Sequence, residues 1–129
     1  LVATDEIIAL LKRIIPPYAI PASTVEQVLA LTETPQRAMA GARIEALLAE
    51  RAKMRQRLQP MPVVAQVFPS DANFLLVEFR DARRALEAGR SAGLLVRDFS
   101  TAPGLENCLR ISVGTPGQNE RLLAALEAL

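Results

Sequence analysis

Hydrophobic positions along this chain change their spacing near Pro60. Before it, apolar residues recur every three to four positions, which is typical of amphipathic helices. After it, short runs rich in valine, phenylalanine and leucine alternate with polar or glycine-containing segments, as in strands joined by turns and helices. The pattern predicts a helical first half and a mixed second half.

The first helix is predicted from Thr4 or Asp5, either of which can act as an N-cap, and should end before Pro16. Residues 1–3 (LVA) resemble the end of a strand, and residues 16–21 predict an extended link. Because the chain starts within such a segment and without methionine, we expect it to be a piece of a longer protein.

Two further helices are predicted before the change in spacing. One begins at about residue 23, with Ser23 or Thr24 as its cap. The next is long, from Pro35 to Leu58, with Thr34 as its N-cap. We interpret its basic residues as a solvated surface rather than a polyanion site, because glutamates intervene and no aromatic residue accompanies them. These residues are Arg37, Arg43, Arg51, Lys53, Arg55 and Arg57.

The second half predicts the order strand, strand, helix, strand, strand, helix. Asp81 is the expected N-cap of the first of these helices, and residues 115–118 (TPGQ) form a capping box for the second. Three helices followed by this order predict an α/β fold in which helices cover one face of a small sheet. The four strands are expected at residues 63–68, 74–79, 94–96 and 109–113.

Composition narrows the possible partners. At 129 residues, half of them apolar, the chain can bury one core of ordinary size. A net charge of +1 and an aromatic content of 4% argue against nucleic acid. Cys108 is the single cysteine and cannot form an internal disulfide. No segment resembles a signal peptide or a membrane span, so we expect a cytoplasmic protein that does not bind membranes.

Two arginines are the most informative candidates for function. Arg97 and Arg110 each lie in a short apolar run, where a charged side chain needs an anionic partner or an open cleft. The chain has no histidine and only two lysines, so it is better equipped to bind an anion than to transform one. The structural alternatives are an ion pair of Arg110 with Asp98 or Glu106, and of Arg97 with the adjacent Asp98.

The motifs around these arginines resemble those of a known family. Residues 68–77 (FPSDANFLLV), 93–98 (GLLVRD) and 108–115 (CLRISVGT), followed by Asn119, resemble the C-terminal part of fold-type-I aminotransferases. Residues 15–18 (IPPY) and the spacing of the two arginines narrow the resemblance to histidinol-phosphate aminotransferases and their relatives, such as threonine-phosphate decarboxylases. The resemblance covers essentially the entire chain.

This resemblance implies that residues 35–129 are the small C-terminal domain of such an enzyme, in which a small, mainly antiparallel sheet is covered by helices and preceded by a long linking helix. Residues 1–34 are then remnant helices of the large domain and a linker. It also implies a homodimeric parent enzyme with pyridoxal phosphate, acting on a phosphorylated amino alcohol with 2-oxoglutarate or glutamate. By resemblance, Arg110 binds the substrate anion and Arg97 assists on the phosphate. The family's Schiff-base lysine lies upstream of residue 1, and Lys12 is no substitute, so we expect the isolated chain to be inactive and to bind no cofactor.

Other interpretations stay open at this point. Asn73 is expected to be a turn residue, Tyr18 a packing residue and Cys108 a small core residue. A free-standing regulatory module, whose arginines sense a phosphorylated metabolite, is an alternative of another class. A dimerisation domain is a third.

Overall fold

A computed structural model describes residues 4–15 and 20–129. The chain divides into two units, residues 1–40 and residues 41–129. The predicted strand end at residues 1–3 and most of the predicted link, including Tyr18, lie outside the described residues.

The first unit contains helices α1 (Asp5–Ile14) and α2 (Ala22–Leu31) and the start of α3 (Thr34–Leu58). Thr4 is the N-cap of α1, as predicted. The predicted cap of α2 is wrong, because Pro21 occupies that position and its carbonyl accepts from the amides of Thr24 and Val25. Neither α1 nor α2 buries a residue, and most of their apolar side chains are exposed.

Among the helices of residues 4–15 and 20–129, none is both long enough and apolar enough to cross a bilayer.

The second unit is built around a four-stranded sheet in the order β1-β2-β4-β3, and every neighbouring pair is antiparallel. The predicted element order is confirmed. The strands are β1 (Val64–Val67), β2 (Phe74–Phe79), β3 (Arg97–Asp98) and β4 (Cys108–Ser112), and the helices are α4 (Ala82–Ser91) and α5 (Pro116–Glu127).

One face of this sheet forms the core. Side chains alternate along β2, so that Leu75, Val77 and Phe79 are buried while the residues between them are half-buried. Leu109 and Ile111 of β4 lie opposite Val77 and Leu75 and extend the same face. Residues of the C-terminal part of α3 and of α4 and α5 complete the cluster: Met54, Leu58, Ala82, Ala85, Leu122, Leu123 and Leu126.

The third strand differs from its prediction. Residues 94–96 form no strand, and β3 consists of Arg97 and Asp98 alone. Gly93, just after the end of α4, has a φ of +72. The amide of Leu94 donates to the carbonyl of Gly89 in α4 rather than to a neighbouring strand. Leu94 and Val96 then pack against the core while Leu95 is 94% exposed, so the segment alternates like a strand without pairing like one.

Side-chain caps fix the starts of α4 and α5. The carboxylate of Asp81 accepts from the amide of Arg84, and Thr115 and Gln118 form the predicted capping box. Asn107, at φ +57, accepts from the amides of Phe79 and Ala82 through its carbonyl and its side chain, respectively. Asparagine tolerates this left-handed conformation, so one residue ties the end of β2 to the start of α4.

The basic residues of α3 are more than a solvated surface. Arg57 forms ion pairs with Glu120 and Glu127 of α5, each at 2.6 Å. Arg51 donates to the carbonyl of Ala72 at 2.6 Å. These contacts attach α3 to the last helix and to the β1–β2 loop, which corrects the interpretation from sequence for Arg51 and Arg57, whereas Arg37 and Arg43 are exposed as expected.

Acid should weaken the contacts between α3 and α5 that involve carboxylates, namely those of Glu120 with Arg57 and of Glu50 with Asn119. Hydrogen bonds from Lys53 and Asn119 lower the pKa of Glu50 from its ordinary 4.5, and Arg57 lowers the pKa of Glu120. A carboxyl whose pKa is lower when folded stabilises the protein above its unfolded pKa, and this contribution is lost as pH falls through the folded pKa.

We therefore expect the melting temperature to fall as pH decreases below 4.5. The Glu50→Gln/Glu120→Gln double variant should be less stable at neutral pH and less sensitive to acid. Thermal unfolding monitored by circular dichroism measures both slopes, and parallel slopes would contradict this account.

Candidate functional site

The second face of the sheet, which we call the open face, carries the candidate arginines. It is formed by the residues that alternate with the core positions, including Phe74 and Leu76 of β2 and Arg110 and Ser112 of β4. Arg110 is half-buried, whereas Arg97 at the sheet edge is exposed.

The register places the two arginines directly opposite each other. Arg97 of β3 pairs with Arg110 of β4, and Leu76 of β2 pairs with Arg110 from the other side. Opposed residues of an antiparallel pair share a face, with Cβ atoms about 5 Å apart. Like charges directly opposite each other in a sheet are destabilising, and an anion bound between them would offset that cost.

Two aromatic rings flank the guanidinium of Arg110. Its Cζ atom lies 5.1 Å from the ring centroid of Phe74 and 5.9 Å from that of Phe99, within range of cation–π attraction. Its Nε is buried, and within the described part of the chain it has no hydrogen-bond partner.

Asp98 and Glu106, the carboxylates that sequence offered as partners for Arg110, are engaged elsewhere. Asp98 accepts from the hydroxyl and the amide of Ser100 at 2.6 and 2.8 Å, and these bonds lower its pKa. Glu106 accepts from the amide of Gly104 at 3.1 Å, and its pKa is lowered by backbone hydrogen bonds. Within residues 20–129, neither Arg97 nor Arg110 forms an ion pair with a carboxylate.

A buried amide fixes the turn that follows β4. The side chain of Asn119 accepts from the amide of Gly114 at 2.8 Å, and donates to the carbonyl of Gly114 and to the carboxylate of Glu50 at 3.1 and 3.0 Å. Gly114 is confined here, since an added Cβ would lie 2.8 Å from Oε1 of Gln118. The strand that carries Arg110 is therefore anchored to α3 and α5.

The other end of the open face is anchored by the β1–β2 loop. The hydroxyl of Ser70 donates to the carbonyl of Phe74 at 2.6 Å, and Arg51 binds the carbonyl of Ala72. Asn73 is exposed, and its carbonyl accepts from the amide of Val113, which continues the pairing of β2 with β4. Asn73 lies in the bend that precedes β2, in agreement with the prediction of a turn residue.

Cys108 lacks the features of a reactive thiol. It is 2% exposed, and burial, together with Glu78 and Glu106, raises its pKa, so the thiol stays protonated. In the ranges that the structure covers, acidic residues, histidine and cysteine form no cluster able to hold a metal ion.

The lysines of this chain do not fit a Schiff-base role toward pyridoxal phosphate. Such a lysine reacts as a neutral amine, which burial or a neighbouring cation favours. Lys12 is exposed on α1, and the Lys53 side chain is 68% exposed and bound to Glu50 at 2.9 Å.

Sequence reasoning found both arginines but missed the two rings that flank one of them. Phe99 lies two positions after Arg97, so the alternation of a strand could have placed it on the same face. The chain has four phenylalanines, and two of them lie over Arg110.

Comparison with known proteins adds independent information. The sequence model of the family "Aminotransferase class I and II" matches residues 1–126. Histidinol-phosphate aminotransferase from Xanthomonas campestris pv. campestris is 42% identical over 127 residues, covering 98% of this chain and 35% of that protein. The chain thus spans about a third of the length of this curated relative.

Solved structures show the same fold. Histidinol-phosphate aminotransferase from Clostridium acetobutylicum superposes with a TM-score of 0.74 at 19% identity, covering 97% of this chain and 38% of that one. L-threonine-O-3-phosphate decarboxylase from Porphyromonas gingivalis gives 0.66 at 23% identity, covering 98% and 39%. With the family match over nearly the entire length, these findings show that the chain belongs to the class I and II aminotransferases.

Proposed function

We propose that this chain is the C-terminal, substrate-anion-binding part of a histidinol-phosphate aminotransferase. The observation that carries the proposal is the pairing of Arg97 with Arg110 on the open face, where neither has a carboxylate partner within residues 20–129. The identity to named histidinol-phosphate aminotransferases supports this choice of substrate class.

The two arginines have different tasks in this proposal. Arg110 is half-buried and flanked by rings, so its position is restrained, and it binds the carboxylate of glutamate or 2-oxoglutarate and the phosphate of histidinol phosphate in turn. Arg97 is exposed at the sheet edge and assists on the phosphate, which carries more charge. A guanidinium suits both anions because its planar fork can donate to two oxygens at once.

The reaction itself requires groups that this chain does not supply. In the parent enzyme, meaning the full-length protein of which we propose this chain is a part, pyridoxal phosphate supplies an electron sink when bound. The chain's own contribution is to bind and orient the substrate anion.

We extend the proposal to the organisation of the parent enzyme. Residues 1–34 are remnant helices of its large domain and linker, and residues 35–129 are its small domain, which fits the exposed apolar side chains of α1 and α2. The parent enzyme is a cytoplasmic homodimer in this proposal. Analytical ultracentrifugation of the parent enzyme should therefore give the mass of two chains.

The assay that tests the function uses the purified parent enzyme with histidinol phosphate and 2-oxoglutarate. We expect glutamate to form in proportion to histidinol phosphate consumed. Release of carbon dioxide from threonine phosphate without glutamate formation would favour the decarboxylase alternative. Binding of phosphorylated metabolites without turnover would favour a regulatory module.

The isolated chain should not form a specific adduct with pyridoxal phosphate, because both of its lysines are in solvent. After incubation with the cofactor and borohydride reduction, mass spectrometry should find no stoichiometric label on one lysine. The parent enzyme is the positive control. A stoichiometric adduct on Lys12 would show that the chain holds a cofactor site of its own.

A further inference from the structure

We propose that Phe99, acting with Phe74, is a positioning residue that restrains the guanidinium of Arg110 so that its two terminal nitrogens face the substrate anion. This inference rests on the proposed function, and it adds a specificity element to the same site.

The register places the two rings on opposite sides of β4. Phe74 of β2 pairs with Ser112, two residues beyond Arg110. Phe99 follows β3, and its amide donates to the carbonyl of Cys108 at 3.0 Å, two residues before Arg110. The rings therefore approach Arg110 diagonally from its two neighbouring strands, and both centroids lie within 5.9 Å of Cζ.

The nitrogens of Arg110 differ in their access to a ligand. Nε is buried, so a ligand oxygen cannot reach it without displacing a neighbour. Within residues 20–129, neither Nη atom donates a hydrogen bond, and neither is among the buried atoms that lack a partner. An anion can therefore bind only at the terminal nitrogens of the guanidinium, where Nη1 and Nη2 can each donate to one oxygen.

Restraint of this kind favours binding. A free arginine side chain loses rotamer freedom when it binds, and a side chain already held in place loses less. Rings that attract the cation also hold it in the absence of ligand, when no anion is there to do so. Phe99 should consequently affect the affinity for anionic substrates more than the chemical step.

The test uses the parent enzyme with Phe99→Leu, which removes the ring and keeps apolar bulk, and Phe99→Tyr, which keeps the ring. We expect Phe99→Leu to raise KM for histidinol phosphate and 2-oxoglutarate by about 10-fold with kcat changed by less than about 2-fold. Phe99→Tyr should retain the original KM. An unchanged KM in Phe99→Leu, or a loss confined to kcat, would overturn the inference.

A double-mutant cycle separates positioning from general structural damage. If Phe99 acts through Arg110, Phe99→Leu should have almost no further effect in an Arg110→Gln enzyme, which has no cation for the ring to attract. Phe68→Leu is the matched control, because Phe68 is not one of the rings over Arg110, and its effect should add to that of Arg110→Gln. Additive effects of Phe99→Leu and Arg110→Gln would refute positioning. Phe74→Leu supplies the same cycle if Phe99→Leu does not fold.

A spectroscopic readout on the 129-residue chain does not depend on catalysis. The buried Nε–H of Arg110 should exchange slowly with water and give a nitrogen-15 NMR resonance displaced by the ring currents of its neighbours. Phe99→Tyr should retain this resonance, and Phe99→Leu should shift it. If the shift occurs but the parent enzyme transfers no amino group, the proposed function fails while the aromatic restraint stands; an unmoved resonance counts against the restraint itself.

Discussion

Replacing Arg110 by lysine in the parent enzyme is expected to lower kcat/KM by about 100-fold for both histidinol phosphate and glutamate. Lysine keeps the charge but loses the planar fork, so one of two charge-assisted hydrogen bonds disappears, a cost of about 2–3 kcal/mol. The effect should be shared by both substrates because the proposed site binds both anions at the same guanidinium.

Single-turnover kinetics of each half-reaction, with histidinol phosphate or with glutamate, measure this loss. Arg83→Lys is the matched control, since Arg83 lies on α4 with its side chain 88% exposed and paired with Glu87. Arg97→Lys should cost less, about 10-fold, because an exposed cation contributes less than a half-buried one. Normal kinetics for Arg110→Lys would remove the assignment of the substrate-anion site.

Replacing Asn119 by alanine should destabilise the isolated chain by about 3 kcal/mol. The side chain is 4% exposed and satisfies three groups, namely the amide and carbonyl of Gly114 and the carboxylate of Glu50. Alanine would remove all three hydrogen bonds, each of which contributes about 1 kcal/mol. The free energy of unfolding, measured by urea denaturation, should fall accordingly.

Gln118→Ala provides the comparison for this variant. Gln118 is the neighbouring amide residue, and it is exposed and serves the capping box of α5, so its loss should cost only about 1 kcal/mol. Equal losses for the two variants would mean that burial of Asn119 does not matter to the turn after β4.

Much of the fold could be predicted from local patterns. Prolines and capping residues located α1, α3, α4 and α5 to within one or two residues, because these signals act within a single turn. The start of α2 was predicted to within one residue, but its cap was wrong, since the carbonyl of Pro21 accepts the amide hydrogen bonds that were expected at a hydroxyl. The alternation of Leu94, Leu95 and Val96 resembled a strand, but pairing depends on a distant partner, which the chain first reaches at Arg97.

In the candidate site, too, some features follow from local sequence and others from tertiary structure. Arg97 and Arg110 stood out because charges are unusual in apolar runs, and that signal is local. Their opposition across two strands depends on register, which is fixed only once the sheet has formed. The rings of Phe74 and Phe99 over one guanidinium are likewise products of tertiary structure.

The opposed arginines also link the stability of the unliganded protein to its affinity for an anion, two properties that are usually measured separately. Like charges opposite each other across two strands are destabilising, and in the proposed site a bound anion would offset that cost. In this proposal, part of the affinity for substrate is free energy that the folded protein gains only when the anion binds. Selection for tight binding and selection for a stable resting protein act in opposite directions on this pair of residues.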